Sequence, residues 1–350
     1  MEQPKSGALR AAMPLEILDR AFRIYRENFR VVILLVGLST VFVTIFNLVY
    51  TLYVLPSFLN LQTSTRYVPR SGPSAASAQI AAVNSLFNGI GGVLIATLVI
   101  LLAQAFLIAA PLTYLASERF LGRTVSIGQA YRAVAGRWWR LGIGLIVFYA
   151  LCAALVLIMA YTAALCGAGV GVLIFVLISL YPFLMPVFVL ERTGVMQGLS
   201  RAWFLAKTRF WPLLWISLAV LLITGLVQGG LFTVELLVIG NTLTAASRTS
   251  VQVVQTLLQA GIGIFIAPIL PITFTMMYYD ARIRVEGLDI ALQCLDTPDP
   301  RPADLASPPP GQFMNSQDWR NVGLLALLGV IPFIMIIVTV GLLVSSVRNF

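Results

Sequence analysis

Histidine is absent from all 350 residues. That one absence removes Ser-His-Asp triads, Cys-His nucleophile pairs and His-ligated metal sites together. Charge is nearly as scarce. Only 11% of residues are Asp, Glu, Lys or Arg and 59% are hydrophobic, whereas a soluble domain is about a quarter charged. An ordinary water-soluble domain is thereby excluded. Cysteine is down to Cys152, Cys166 and Cys294, and no pair has metal or redox spacing. Cys152 and Cys166 share one hydrophobic stretch, where thiols act as small apolar side chains. The closest acidic group is Asp280, Glu286 and Asp289, interleaved with Arg282 and Arg284. It reads as a solvated helix exit with local ion pairs rather than a cation site. No catalytic residue, metal or cofactor is expected.

What the chain has in quantity is long apolar runs. Seven are long enough to cross a hydrocarbon core of ~30 Å: Val31–Leu55, Ile90–Leu115, Leu141–Leu165, Val170–Leu190, Pro212–Val234, Leu257–Tyr279 and Val322–Val344. The first follows a 30-residue leader rich in charge and lacks a nearby small-residue cleavage site, so it is expected to be a span and not a signal peptide. If the N-terminus is cytoplasmic and the spans alternate, segments 1–30, 116–140, 191–211 and 280–320 face the cytoplasm. They hold 6, 5, 4 and 4 of the 23 Lys/Arg, leaving only Arg66, Arg70, Arg248 and Arg348 outside. This asymmetry sets the orientation, with the C-terminus outside. It also accounts for the net charge of +9: the partners are anionic lipid headgroups at the inner face, not nucleic acid.

Three basic amphipathic stretches, Leu15–Arg30, Ile127–Arg140 and Val195–Trp211, each run into a span. Arg20-Ala21-Phe22 and Phe29 recur 181 positions later as Arg201-Ala202-Trp203 and Phe210. Ala21-Phe22-Arg23 and Phe29 recur 109 positions later as Ala130-Tyr131-Arg132 and Trp138. In the first stretch Leu15, Leu18, Phe22, Tyr25 and Phe29 form an apolar stripe, with Arg20, Arg23 and Arg26 on the other face. Such helices lie in the membrane interface, aromatics in lipid and arginines at the headgroups. Phe22, Arg23, Arg26, Phe29, Tyr131, Arg132, Trp138, Arg201, Trp203 and Phe210 are therefore the expected membrane-interface residues.

The second, fourth and sixth spans also resemble one another. Each carries proline in its cytoplasmic half and leaves through an acid followed by arginine. These are Pro111 with Glu118-Arg119, Pro182 and Pro186 with Glu191-Arg192, and Pro268 and Pro271 with Asp280-Ala281-Arg282. Proline frees a carbonyl and kinks a helix, and in lipid that carbonyl needs a new donor. Kinks are expected at Pro111, Pro186 and Pro271, with the three helices packed together. The expected fold is all-α, a polytopic membrane protein of about seven transmembrane helices, with three interfacial helices and a threefold internal repeat. The repeated six-span domain covers 1–290, its repeats about 14–119, 125–192 and 195–290. A proline-rich cytoplasmic linker, 291–320, then leads to a seventh transmembrane helix, 321–350.

Polar groups inside the spans are few. Asn47 and Gln228 are separated by the same 181 positions, and each lies about 24 Å into its span. Gln104 is mid-span. Buried amides need partners, so all three are expected to bond other helices or line a polar cavity. Glu235 is expected at the outer interface. Gly167-x-Gly169-x-Gly171 and Gly225-x-x-x-Gly229 follow no strand and are read as close helix contacts.

Two motifs carry a family resemblance. Leu15-Glu16-Ile17-Leu18-Asp19-Arg20-Ala21-Phe22-Arg23-Ile24-Tyr25-Arg26-Glu27-Asn28-Phe29 is similar to the start of the membrane domain of bacterial glycerophosphoryl diester phosphodiesterases. Tyr278-Tyr279-Asp280-Ala281-Arg282-Ile283-Arg284-Val285-Glu286-Gly287-Leu288-Asp289 resembles that domain's end. The resemblance brackets 14–290 and implies a multi-span protein of the bacterial inner membrane. The domain also occurs free-standing in proteins of unknown role. In fused members the catalytic barrel is a separate domain, and the stretch after the seven spans is too short to hold one. The expected function is a non-catalytic scaffold or assembly protein that engages lipids and another membrane protein. The alternative is a transporter or lipid-handling protein with a cavity between the repeats. The orientation is directly testable: reporter domains inserted after Leu121 and after Asp296 should be active only as cytoplasmic reporters, and one inserted after Ser71 only as an external reporter. The reverse pattern would sink the assignment.

Overall fold

The computed structural model describes residues 12–50, 52, 91–161, 166–239, 245–294, 301–305 and 313–328. Among the described residues regular structure is helical, with no strand. The helices are α1 (Pro14–Glu27), α2 (Phe29–Val49), α3 (Gly91–Phe120), α4 (Ile127–Ala135), α5 (Trp138–Tyr161), α6 (Cys166–Leu190), α7 (Val195–Thr208), α8 (Phe210–Ile239), α9 (Ala245–Ile266), α10 (Ile269–Glu286), α11 (Leu288–Gln293) and α12 (316–328).

Six stretches among the described residues are long and apolar enough to cross a membrane: Phe29–Val49, Gly91–Phe120, Trp138–Met159, Gly169–Leu190, Phe210–Gly230 and Val253–Glu286. Leu34, Leu157, Leu221 and Leu226 stand largely exposed on them. Water does not tolerate so much contiguous apolar surface, whereas hydrocarbon solvates it. The chain is a multi-pass helical membrane protein. The seventh expected span lies mostly outside the described residues, as do the loop Pro56–Ala82 and the side chain of Glu235.

The chain forms two compact units. The first comprises Met1–Ile24, Thr113–Ala219 and Pro271–Phe350. Its central span is α6: two-thirds (67%) of Gly169–Leu190 is buried, against 22% of Trp138–Met159. Helices α5 and α7 pack on α6, and glycines make this possible. A Cβ at Gly144 of α5 would sit 2.6 Å from the Phe188 ring of α6, and one at Gly198 of α7 would sit 2.7 Å from it. One aromatic ring is thus enclosed from both sides by helices that lack a side chain there. Helix α12 comes equally close, since a Cβ at Gly171 would lie 2.3 Å from the Ala326 nitrogen. The close-packing role expected for glycine is seen at Gly171. Gly225 and Gly229, by contrast, have open space around them.

Helix α12 is held at its start by polar contacts. The Phe313 carbonyl accepts from Trp203 Nε1 at 2.8 Å and from Lys207 Nζ at 2.7 Å. Lys207 Nζ also pairs with Asp318 at 2.7 Å, and Asp318 Oδ2 accepts the Asn315 N–H at 2.8 Å. The Phe313 and Trp203 rings stack 5.2 Å apart. Below them Leu325 joins Phe175 and Phe210 in a buried apolar cluster.

The second unit comprises Tyr25–Leu112 and Val220–Leu270. In it α2 packs on α9 and on a π-helical turn of α3, Ala105–Ala109. Proline explains that turn. Pro111 has no N–H to give the Leu107 carbonyl four residues earlier. The Ser39 hydroxyl of α2 lies 2.8 Å from that carbonyl and 2.8 Å from its own Leu35 carbonyl. A hydroxyl of a neighbouring helix thus lies within hydrogen-bond reach of the carbonyl that Pro111 cannot serve. Pro268 ends regular bonding between α9 and α10. Pro182 and Pro186 differ, because α6 remains helical through both.

Ser39→Ala should remove this interhelical contact and cost about 0.5–1.5 kcal/mol. Adding Pro111→Ala restores a backbone donor, so in that background Ser39→Ala should cost little. Thermal unfolding in detergent of the four proteins of this cycle measures the coupling; additive costs would refute it.

Candidate functional site: a buried ionic circuit

The acids that close the spans, Glu118, Glu191 and Asp280, do not face water. Glu191 follows the last turn of α6 and is 2% exposed. Arg201, in the middle of α7, is 4% exposed. Tyr278, Arg282 and Glu286 recur every four residues on α10, which places them on one helix face. These five side chains form a closed loop. Arg201 Nε donates to Glu191 Oε2 at 2.6 Å. Arg201 Nη2 donates to Glu286 Oε2 at 2.8 Å, and Nη1 lies 2.7 Å from Oε1. Arg282 Nε donates to Glu286 Oε2 at 2.8 Å, and its Nη1 donates to the Tyr278 hydroxyl at 3.0 Å. Tyr278 closes the loop by donating to Glu191 Oε1 at 2.6 Å. Two cations and two anions cancel. Burial opposes the charge on Arg201, but hydrogen bonding and attraction from Glu286 and Glu191 outweigh it and hold its pKa above the ordinary value.

The other two exit acids are also buried. Asp280 Oδ1 accepts the Ala12 N–H at 2.9 Å and Arg284 Nε at 3.0 Å, while Oδ2 lies 3.0 Å from Arg209 Nη2. Arg284 Nη2 reaches back to the Ala12 carbonyl at 3.0 Å, so both backbone groups of Ala12 are held. Glu118 lies 3.4 Å from Arg123 and 3.5 Å from Arg301. At the start of α4 and the end of α10 the chain is shaped by local signals. Ser126 and Gln129 cap α4 reciprocally, and Gly287, at φ +61, turns the chain out of α10 directly after Glu286.

These contacts correct three expectations. Arg201 does not face outward from its helix but is buried between two carboxylates. Phe210 is likewise buried, against Phe175, 5.2 Å between centroids. Asp280 and Glu286 do not form a solvated helix exit but belong to buried ion pairs. The remaining interface residues divide by exposure. Phe22, Arg23, Arg26, Phe29, Arg132 and Trp138 are exposed, whereas Tyr131 and Trp203 are half-buried. The amides are not brought together by any bond: Asn47 Nδ2 donates to Val43 of its own helix at 3.0 Å, and Gln104 and Gln228 are exposed. Among the described residues this back-bond within α2 is the contact seen for the Asn47 side chain. Glu191 and Tyr278 went unassigned as site residues, although the four-residue spacing of Tyr278, Arg282 and Glu286 is a legible signal of one shared face.

Among the described residues, no group of three or more His, Cys, Asp or Glu side chains is placed to hold a metal ion. A cavity of about 10 Å3 between Ile17, Phe120, Tyr279 and Asp280 has room for about one water molecule. No family model, curated protein or solved structure matches the chain. Fold and site define a class: a multi-pass helical membrane protein whose buried charges join its own helices.

Arg201→Met should strand Glu191 and Glu286 without their shared cation and cost about 3–5 kcal/mol. Arg201→Met with Glu286→Gln should recover part of that loss. Arg23→Met, which removes only an exposed pair with Asp19, should stay within about 0.5 kcal/mol. Melting temperatures in one detergent decide; a mild effect of Arg201→Met would show that the circuit is not structural.

Proposed function

We propose that the chain is a non-catalytic scaffold or assembly protein of the bacterial inner membrane. It belongs with the membrane domain of glycerophosphoryl diester phosphodiesterases, has seven spans around a threefold-repeated core, and keeps its N-terminus in the cytoplasm. The observation that carries the reading is the closed circuit of Glu191, Arg201, Glu286, Arg282 and Tyr278. A general acid or base must exchange a proton with a substrate within hydrogen-bond reach. These groups are buried against one another and clamp α6, α7 and α10. Their chemistry is that of a rigid platform.

The repeat draws support from burial at equivalent positions. Ala21, Ala130 and Ala202, related by the 109- and 181-residue offsets, are all buried. So are the exit acids Glu118, Glu191 and Asp280. The family reading rests on the two bracketing motifs, and the second motif contains most of the circuit. The exposed Phe22, Phe29 and Trp138 suit an interfacial position beside headgroups. A transporter or lipid-handling role is favoured by one observation: Gln104 and Gln228 are exposed on apolar helices, where an amide needs a polar partner.

Native mass spectrometry of the protein extracted in mild detergent separates the two. The scaffold reading expects a second membrane protein at fixed stoichiometry, and this complex should survive Asn47→Leu and Gln228→Leu. A bound lipid or small molecule alone, lost in those variants, would overturn it in favour of lipid handling.

A further inference from the structure

Apart from the circuit, a second set of arginines has few acidic partners among the described residues. Arg137, just before α5, donates through Nη1 to the Val189 carbonyl at the end of α6. Arg140, three residues on, donates through Nη1 to the Thr193 carbonyl at 3.4 Å. Arg192 lies in the chain between those two carbonyls and is exposed. Arg301 approaches from the segment after α11 and meets Glu118 Oε1 at 3.5 Å. The four guanidinium groups share one electrostatic neighbourhood. Burial lowers the Arg137 pKa, and repulsion from Arg192, Arg140 and Arg301 lowers it further, with only Tyr114 acting the other way. The compensation is small. Glu118 is one carboxylate and is already contacted by Arg123 as well. The carbonyl end of α6 is worth about half a negative charge. Several positive charges thus converge where an ordinary fold would have placed acids.

We propose that Arg137, Arg140, Arg192 and Arg301 form a phosphate-binding site at the joined ends of α3, α5 and α6. Guanidinium groups suit phosphate because each offers paired donors to two oxygens. Arg137 and Arg140 are pinned by backbone carbonyls and so are oriented before the ligand arrives. Arg192 and Arg301 are exposed and close on it. The neighbouring Trp138 and Trp139 are exposed at the start of a span, the position of interfacial aromatics at headgroup depth. The ligand is a phosphate group, carried by an anionic phospholipid headgroup or by a soluble phosphate ester. The inference rests on the proposed placement of these helix ends at the inner face of the membrane.

The test uses the full chain in mild detergent, stripped of lipid, and measures binding by native mass spectrometry. The probes are phosphatidic acid, phosphatidylcholine and inorganic phosphate. Wild type should hold one phosphatidic acid per chain, with phosphatidylcholine at least tenfold weaker. Arg192→Gln and Arg301→Gln, each an exposed substitution, should each weaken that binding about tenfold. Arg320→Gln, an exposed arginine of α12, removes the same charge elsewhere and should leave it unchanged. If inorganic phosphate binds at one equivalent and displaces the lipid, a soluble ester is the source; if it does neither, the lipid headgroup is. Equal losses in Arg192→Gln and Arg320→Gln, or no preference for phosphatidic acid, would overturn the site. The scaffold reading fails on a different result, the absence of a protein partner, and the membrane placement fails on the reporter insertions.

Discussion

The pairing of buried charge governs this structure. An ion transferred out of water costs several kcal/mol even after relaxation, and attraction offsets that cost only when partners are close and fully hydrogen-bonded. Glu191, Arg201, Arg282 and Glu286 lie within hydrogen-bond or ion-pair distance of one another around the Tyr278 hydroxyl, although Glu286 Oε1 has charge contact with Arg201 and no aligned hydrogen bond. Their satisfaction requires α6, α7 and α10 to sit in one arrangement, because a displaced helix would leave a charge unpaired. Apolar packing alone would be more permissive, since leucine surfaces slide past one another at little cost. The glycines around Phe188 then use that arrangement by letting α5 and α7 approach the ring.

Much of this architecture is legible in the residues. Six of the seven apolar runs fall on long apolar helices among the described residues, because length and hydrophobicity are summed over about 20 positions and no single residue decides them. The freed carbonyl before Pro111 is also readable, since proline lacks an N–H wherever it stands. That Ser39 answers it is not, because the pairing joins residues 68 positions apart. The interfacial stripes are half legible. Phe22, Phe29 and Trp138 are exposed, but Phe210, at the equivalent position of the third stretch, is buried. The pattern within one helix cannot register that Phe175 and Leu325 cover that site. Arg201 follows the same logic: a basic residue beside a membrane suggests headgroups, and only the fold shows Glu191 from the end of α6 and Glu286 from α10 meeting it instead.

The proline-bearing spans show how one residue type yields different outcomes. In α3 the helix widens into a π turn before Pro111. At Pro268 regular bonding stops and restarts at Ile269. In α6, two prolines leave the helix continuous. The span that keeps its helix is also the most buried one, consistent with neighbours that pin the backbone on every side.

The order of the charges along the chain bears on how the protein is made. Glu191 and Arg201 are ten residues apart, and Arg282 and Glu286 are four apart. Each half of the circuit is therefore electrically neutral as it leaves the ribosome. The halves are separated by more than 80 residues, a wait of about 4–17 s at bacterial and slower elongation rates. Asp280 with Arg284 and Glu118 with Arg123 are likewise close in sequence. The long-range circuit thus joins two locally matched pairs, and bringing its halves together brings no net charge together.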